Sequence, residues 1–187
     1  MPDEVIQFPL PILTDRLLIR EIRLGDCSIL NGAIADSFEL LQRWMPWARE
    51  LPSVAETELF VRQAIADHVM GKNFNLTMWD RSRQQYVGSI GLHAINRKPR
   101  EFEIGYWMQT ALAGQGLMTE SVMALTAAAF DAAKADRVRI RCDDRNAASS
   151  RVAEKAGYQF EGVMRHDAMD NDGNLRSTRV YARTRSS

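Results

Sequence analysis

A strand-like run, Phe102-Glu103-Ile104-Gly105-Tyr106-Trp107-Met108, leads through Gly114-Gln115-Gly116 into a long helical period, and no other stretch limits the architecture of this chain so tightly. The two glycines let the backbone turn with its N–H groups converging, and a helix starting at Leu117 adds unpaired amides and a positive dipole end. Such a junction is either a phosphate site or an ordinary strand-to-helix turn. Met118, Val122, Leu125, Ala129 and Ala133 fall on one helical face, so the helix packs while its N-terminus stays open to a ligand.

The missing residues narrow the ligand. No Gly-Lys-Ser or Gly-Lys-Thr follows the glycines, which excludes a nucleoside-triphosphate loop. Gly114-x-Gly116 is part of a dinucleotide fingerprint, and Asp136 lies ~20 residues further on. The order of elements argues against that fold: Asp136 precedes the strand Arg137–Asp143 instead of ending it, and Thr119 occupies the third glycine position.

At 187 residues the chain fits one domain, 1–187, with an irregular lead over 1–12 marked by Pro2, Pro9 and Pro11. The 24 basic residues balance the 24 acidic ones, so no net charge drives binding to nucleic acid or to an anionic membrane. No signal peptide and no membrane-spanning apolar run is read, and Cys27 and Cys142 are the two cysteines; a reducing cytoplasm fits. Cys142 continues the alternation Val138, Ile140, Cys142 and reads as a core thiol. His68, His93 and His166 show no ligand spacing, so no metal site is expected.

Alternation and turn residues predict strands over Leu17–Arg23, Phe74–Trp79, Tyr86–Ala94, Glu101–Met108, Arg137–Asp143, Tyr158–Arg165 and Thr178–Arg183. Asp26 is an N-cap candidate for a helix to Asp36, and a second helix runs from Phe38 to Trp44, where Pro46 stops it. Ser53 and Glu56 form a capping-box pattern before a helix to about Met70, and Asn146 caps a helix that Gly157 ends. The order predicts a single α/β domain with a mixed sheet.

The pieces Leu13-Thr14-Asp15-Arg16-Leu17-Leu18-Ile19-Arg20, Trp44-Met45-Pro46-Trp47, Val87-Gly88-Ser89-Ile90-Gly91, Glu103-Ile104-Gly105-Tyr106-Trp107, Gly114-Gln115-Gly116-Leu117-Met118-Thr119-Glu120, Asn146-x-x-Ser149 and Glu154-Lys155-Ala156-Gly157-Tyr158 occur in this order over nearly the whole chain. Together they resemble the GNAT acyltransferase superfamily and, within it, the RimJ/RimL-type N-acetyltransferases.

The resemblance implies a mixed, mostly antiparallel sheet flanked by helices, in which a bulge at Gly105 splays one strand from its parallel neighbour so that the pantetheine of acetyl-CoA lies between them. It implies transfer of an acetyl group by direct attack of an amine, with no acyl-enzyme and no metal. Backbone amides near Met108 would bond the pantetheine and stabilise the oxyanion. Those of Gly114, Gln115, Gly116, Leu117, Met118 and Thr119 would hold the pyrophosphate. Ala113 stands where the family commonly has Arg or Gln, so that grip falls to the backbone.

The superfamily's tyrosine position holds Ala153, and Ser149 is the substitute proton donor, or else a first-turn serine that satisfies backbone donors. Glu103 is the base, directly or through water, or a solvated strand glutamate. Asn146 bonds pantetheine, caps its helix, or both; Lys155 meets a CoA phosphate or favours a helix C-terminus. Trp44 and Trp47 wall the acceptor or pack the core. The acceptor that the RimJ/RimL resemblance implies is a protein or peptide N-terminal α-amine, whose pKa of ~8 against ~10.4 for lysine also eases deprotonation. A small amine (amino acid, polyamine or antibiotic) is the alternative, and a non-catalytic acyl-CoA-binding sensor is the reading from another class. A homodimer follows from the family alone.

Overall fold

The computed structural model describes residue 6 and residues 8–185. Among them are eight strands: β1 Ile12–Leu13, β2 Leu17–Glu21, β3 Phe74–Asp80, β4 Gln85–Arg97, β5 Arg100–Met108, β6 Arg137–Asp143, β7 Gln159–Met169 and β8 Leu175–Thr184. Five helices flank them: α1 Cys27–Asp36, α2 Phe38–Trp44, α3 Val54–Val69, α4 Leu117–Asp131 and α5 Ala147–Lys155. The strands form one sheet in the order β1-β2-β3-β4-β5-β6-β8-β7, antiparallel at every step except β5 to β6. Half of the expected lead, Pro2 included, lies outside the described residues. Ile6 is buried, Phe8 meets Phe74 edge-on at 4.8 Å, and Ile12 already belongs to β1.

Local chemistry explains the helix ends. Ser53 Oγ accepts from the Glu56 amide at 3.2 Å while Glu56 Oε2 accepts from the Ser53 amide at 2.8 Å, a reciprocal cap for α3. Asn146 Oδ1 accepts from the Ser149 amide at 3.0 Å and caps α5, which ends at Gly157 with φ +80°. Asp26 precedes α1 as expected, but its side chain does not cap that helix. Its carboxylate instead takes Arg20 Nη1 and Nη2 at 2.8 and 2.7 Å and the Arg23 amide at 2.8 Å.

Helices α1, α2 and α3 cover one face of the sheet around Leu30, Ile34, Leu41, Val61 and Tyr86, while α4 and α5 cover the other around Ile90, Phe102, Ile104, Val122 and Leu125. Alternation divides β5 between them. Phe102, Ile104, Tyr106 and Met108 face α4 and α5, and Trp107 packs on the α1–α3 side, which Glu103 and Gly105 share.

The parallel seam is short. Glu101, Phe102 and Glu103 pair with Arg137, Val138 and Arg139, and beyond these the strands diverge. Arg139 rivets the seam's end, reaching Glu103 at 2.9 Å and Glu101 at 3.1 Å, and Arg137 reaches Glu101 at 3.1 Å. The expected bulge at Gly105 is not there: Gly105 pairs in register with Gly91. The irregularity lies between His93 and Asn96 in β4, where Ala94 takes φ +46°. Gly105 serves a different need, because a Cβ there would stand 3.1 Å from the His93 ring.

Burial raises the Asp26 carboxyl, but the Arg20 hydrogen bonds and the Arg23 amide outweigh it and leave its pKa below the ordinary value. A depressed carboxylate contributes stability that is complete above its unfolded pKa and lost as pH falls through the folded one. Asp26→Asn is therefore expected to cost about 2 kcal/mol at neutral pH, since Arg20 loses its buried counter-charge, and to flatten the acid limb of stability. Urea melts of both proteins between pH 3 and pH 7 check this; parallel acid limbs would refute it.

Candidate active site

The turn after β5 sets two glycines before a helix N-terminus, a geometry suited to an anion. Gly114 and Gly116 take φ +78° and +79°, a conformation that L side chains rarely adopt, and Gly116 is the N-cap of α4. Leu117 and Met118 are buried, so these two offer the turn their backbone amides while their side chains anchor α4 in the core. A cavity of about 670 Å³ opens there, lined by Thr14, Asp15, Gly114, Gly116, Thr119, Glu120 and Lys155 among others. Lys155 thus comes from the last turn of α5 to the mouth of the loop, where its ammonium suits a phosphate.

The loop is braced from the start of β2. Arg16 donates from Nη1 to the Gln115 carbonyl at 2.9 Å and from Nε to Glu120 Oε2 at 2.6 Å, and Thr14 Oγ1 donates to Glu120 Oε1 at 2.5 Å. With its carbonyl held by Arg16, Gln115 is fixed from behind the turn. Burial raises the Glu120 carboxyl, but Thr14 and Arg16 together bring it below the usual value, so it stays ionised and neutralised by Arg16. This clamp joins residues a hundred positions apart and leaves no local sequence signal.

Beyond the seam, β5 has a free edge. The Gln109 amide donates to the Val87 carbonyl at 2.9 Å, so strand alternation turns the Tyr106 and Met108 backbone groups away from β4, toward the gap left by β6. An extended ligand arm lying in that gap would meet an N–H of Met108. Across the gap stands the first turn of α5, where Ser149 Oγ lies 2.8 Å from the Tyr106 hydroxyl. Burial pushes the Tyr106 phenol well above its usual pKa, and it also raises the Cys142 thiol on β6, in keeping with a core cysteine.

On the opposite face, cross-strand pairs form a short ladder: Ser89 with Trp107, Gly91 with Gly105, His93 with Glu103. The two glycines leave bare backbone, over which the His93 ring lies; Cβ atoms at 91 and 105 would stand 3.0 and 3.1 Å from it. Burial lowers the His93 imidazole below its ordinary value, with Glu103 acting the other way, so at pH 7 the ring is neutral and able to accept a proton. Glu103 is held by Arg139 rather than left in solvent.

Trp47 is half exposed, at 49%, with its ring 6.4 Å from Trp107, which continues to Tyr86 at 6.1 Å. Trp44 is placed differently, carrying the Arg43 guanidinium at 4.7 Å. From the turn between β7 and β8, Asn171 Nδ2 donates to the Gln42 and Met45 carbonyls at 2.7 and 2.9 Å, tying that hairpin to the end of α2. Asp167 is taken by Arg141 at 3.1 Å. Motif spacing assigns Trp107, Tyr106 and Arg16 no role of their own, and His93 gains one only from the pairing of β4 with β5.

Among the described residues no group of three or more His, Cys, Asp and Glu is arranged to hold a metal, and no helix is long and apolar enough to cross a membrane.

The family model described as "Acetyltransferase (GNAT) domain" matches residues 16–159. The putative ribosomal N-acetyltransferase YdaF of Bacillus subtilis (strain 168) is 30% identical over 158 residues, 82% of this chain and 83% of that protein. The ribosomal-protein-serine acetyltransferase of Escherichia coli (strain K12) is 27% identical over 145 residues, 76% of this chain and 78% of its own. A solved structure described as RimL, ribosomal L7/L12 alpha-N-protein acetyltransferase in complex with coenzyme A, superposes with a TM-score of 0.86 at 25% identity, covering 97% of this chain and 98% of that one.

Proposed function

This chain belongs to the GNAT acetyltransferase family, as an acetyl-CoA-dependent N-acetyltransferase of the RimJ/RimL type, and on that premise we propose that its acceptor is the N-terminal α-amine of a protein, a ribosomal protein in the first instance. The observation that carries this reading is the ladder on the α1–α3 face: the His93 ring seated on Gly91 and Gly105, with Glu103 beside it at one end and the Trp107–Trp47 wall at the other. It is a narrow floor beside the diverging strands, suited to a chain end with a small first residue. The ribosomal acceptors named for YdaF and RimL support the same choice.

In this reading acetyl-CoA lays its pyrophosphate on the amides from Gly114 to Thr119, with Lys155 beside it and its pantetheine along the Tyr106 and Met108 edge. The amine gives its proton to the Glu103–His93 pair and attacks the thioester; the carbonyl oxygen takes charge near the Met108 amide, and sulfur leaves toward Ser149. An α-amine needs only a mild base, since its pKa of ~8 leaves it some hundredfold richer in neutral form than lysine. Asn146 holds the α5 turn that carries Ser149.

Thiol release from acetyl-CoA with a panel of acceptors tests the proposal. Peptides with free N-termini are expected to exceed N-terminally blocked lysine peptides in kcat/KM by about a hundredfold and to lead amino acids, polyamines and aminoglycosides as well; a polyamine or antibiotic at the head of the panel would refute it. Trp47→Ala is expected to raise KM for the best peptide about fivefold while KM for acetyl-CoA stays put. Equal shifts in both would remove Trp47 from the acceptor site.

A further inference from the structure

The tyrosine that many superfamily members carry on the helix after the asparagine is absent here, with Ala153 in its place and buried. A phenol nevertheless reaches the same helix turn from the other side. Tyr106 extends from β5, on the edge that faces the gap, and its hydroxyl meets Ser149 Oγ at 2.8 Å and the Ser149 carbonyl at a longer 3.3 Å. Both side chains are partly buried, and Ser149's own amide is already satisfied by Asn146 Oδ1.

A serine hydroxyl has one proton to give, and its direction depends on what occupies the oxygen's lone pairs. Burial keeps the Tyr106 phenol protonated, so it serves as a donor. When that proton points at Ser149 Oγ along the shorter contact, the serine proton turns away from Tyr106 toward the gap. A hydroxyl that accepts one hydrogen bond also becomes the stronger donor in the next.

We infer that Tyr106 is the positioning residue for the leaving-group step, donating to Ser149 Oγ so that the serine proton is aimed at the thioester sulfur. This rests on the reading of Ser149 as the proton donor. The C–N bond forms as the C–S bond breaks with its electron pair going to sulfur; sulfur takes the Ser149 proton, and the proton released by the attacking amine restores Ser149 through solvent. The products are the amide and free CoA thiol, and Tyr106 keeps its proton throughout.

The test compares the parent protein with Tyr106→Phe, Ser149→Ala and the double variant, using acetyl-CoA and the best acceptor of the panel above. Tyr106→Phe keeps the ring and is expected to lower kcat about tenfold with KM for acetyl-CoA within about twofold, the size of one hydrogen bond acting in the transition state. In the Ser149→Ala background the same change should have no further effect on kcat. A Tyr106→Phe protein at the parent rate while Ser149→Ala is slow removes Tyr106 alone. An unchanged Ser149→Ala rate overturns the serine reading and this one with it. Equal losses in both backgrounds, or a Tyr106→Phe protein that no longer melts cooperatively or gains no protection from CoA, would show a structural tie and overturn the inference.

Discussion

Gly88→Ala is expected to be the most damaging single-methyl substitution in the sheet, costing about 3 kcal/mol or more. A Cβ at this position would stand 2.3 Å from the Trp107 carbonyl oxygen and 2.6 Å from Met108 Cα. These are backbone atoms of β5, so no flexible side chain can step aside. Either β4 and β5 part or β5 shifts toward the gap, and in both cases the Tyr106 and Met108 edge moves off its line. The melting midpoint should fall by about 6–12 °C for a chain of this size, and protein that still folds should bind CoA weakly by calorimetry. A midpoint within about 2 °C of the parent would show that the strands accommodate the methyl and that the close β4–β5 approach does not position the cleft.

Gly116→Asp should abolish cofactor use while largely sparing the fold. Gly116 holds φ +79° at the N-cap of α4, where a side chain costs roughly 1–2 kcal/mol. Only the far end of Arg16 lies near the substituent, at 3.5 Å, so the fold has room for it. The added carboxylate would nonetheless stand at the turn expected to hold the pyrophosphate, and two like charges ~4 Å apart repel by about 4 kcal/mol at an effective dielectric of 20. With partial relief from Arg16, a loss of roughly a hundredfold or more in acetyl-CoA affinity follows. Gly116→Ala, which keeps the strain without the charge, should lose far less. Similar affinities for the two variants would place the pyrophosphate elsewhere.

Legibility in the sequence followed the range of each interaction. Helix ends governed by residues three or four apart were readable: Ser53 with Glu56 opens α3, Asn146 opens α5, and Pro46 lies just past α2. The glycines at 114 and 116 were readable because a positive φ is a property of the residue itself. A strand glycine such as Gly105 suggests a bulge because it announces a steric need without saying whose; the need belongs to His93, visible only once Gly91 and Gly105 are seen opposite each other. The bulged stretch holds Ala94, which carries no such mark. Asp26 shows the same limit, since a helix-preceding aspartate suits a cap and only the fold brings Arg20 against it. Contacts such as Tyr106 with Ser149 and Arg16 with Glu120 follow from topology alone.

The brevity of the β5–β6 seam makes the cofactor a building material as well as a reagent. One leaf, β1 to β5, and another, β6 with β8 and β7, pair as strands only over the Glu101–Glu103 stretch, and a pantetheine laid beyond it would act as mortar between them. Durability of the protein should then follow metabolic supply, each tenfold rise in free acetyl-CoA above its dissociation constant adding about 1.4 kcal/mol against unfolding.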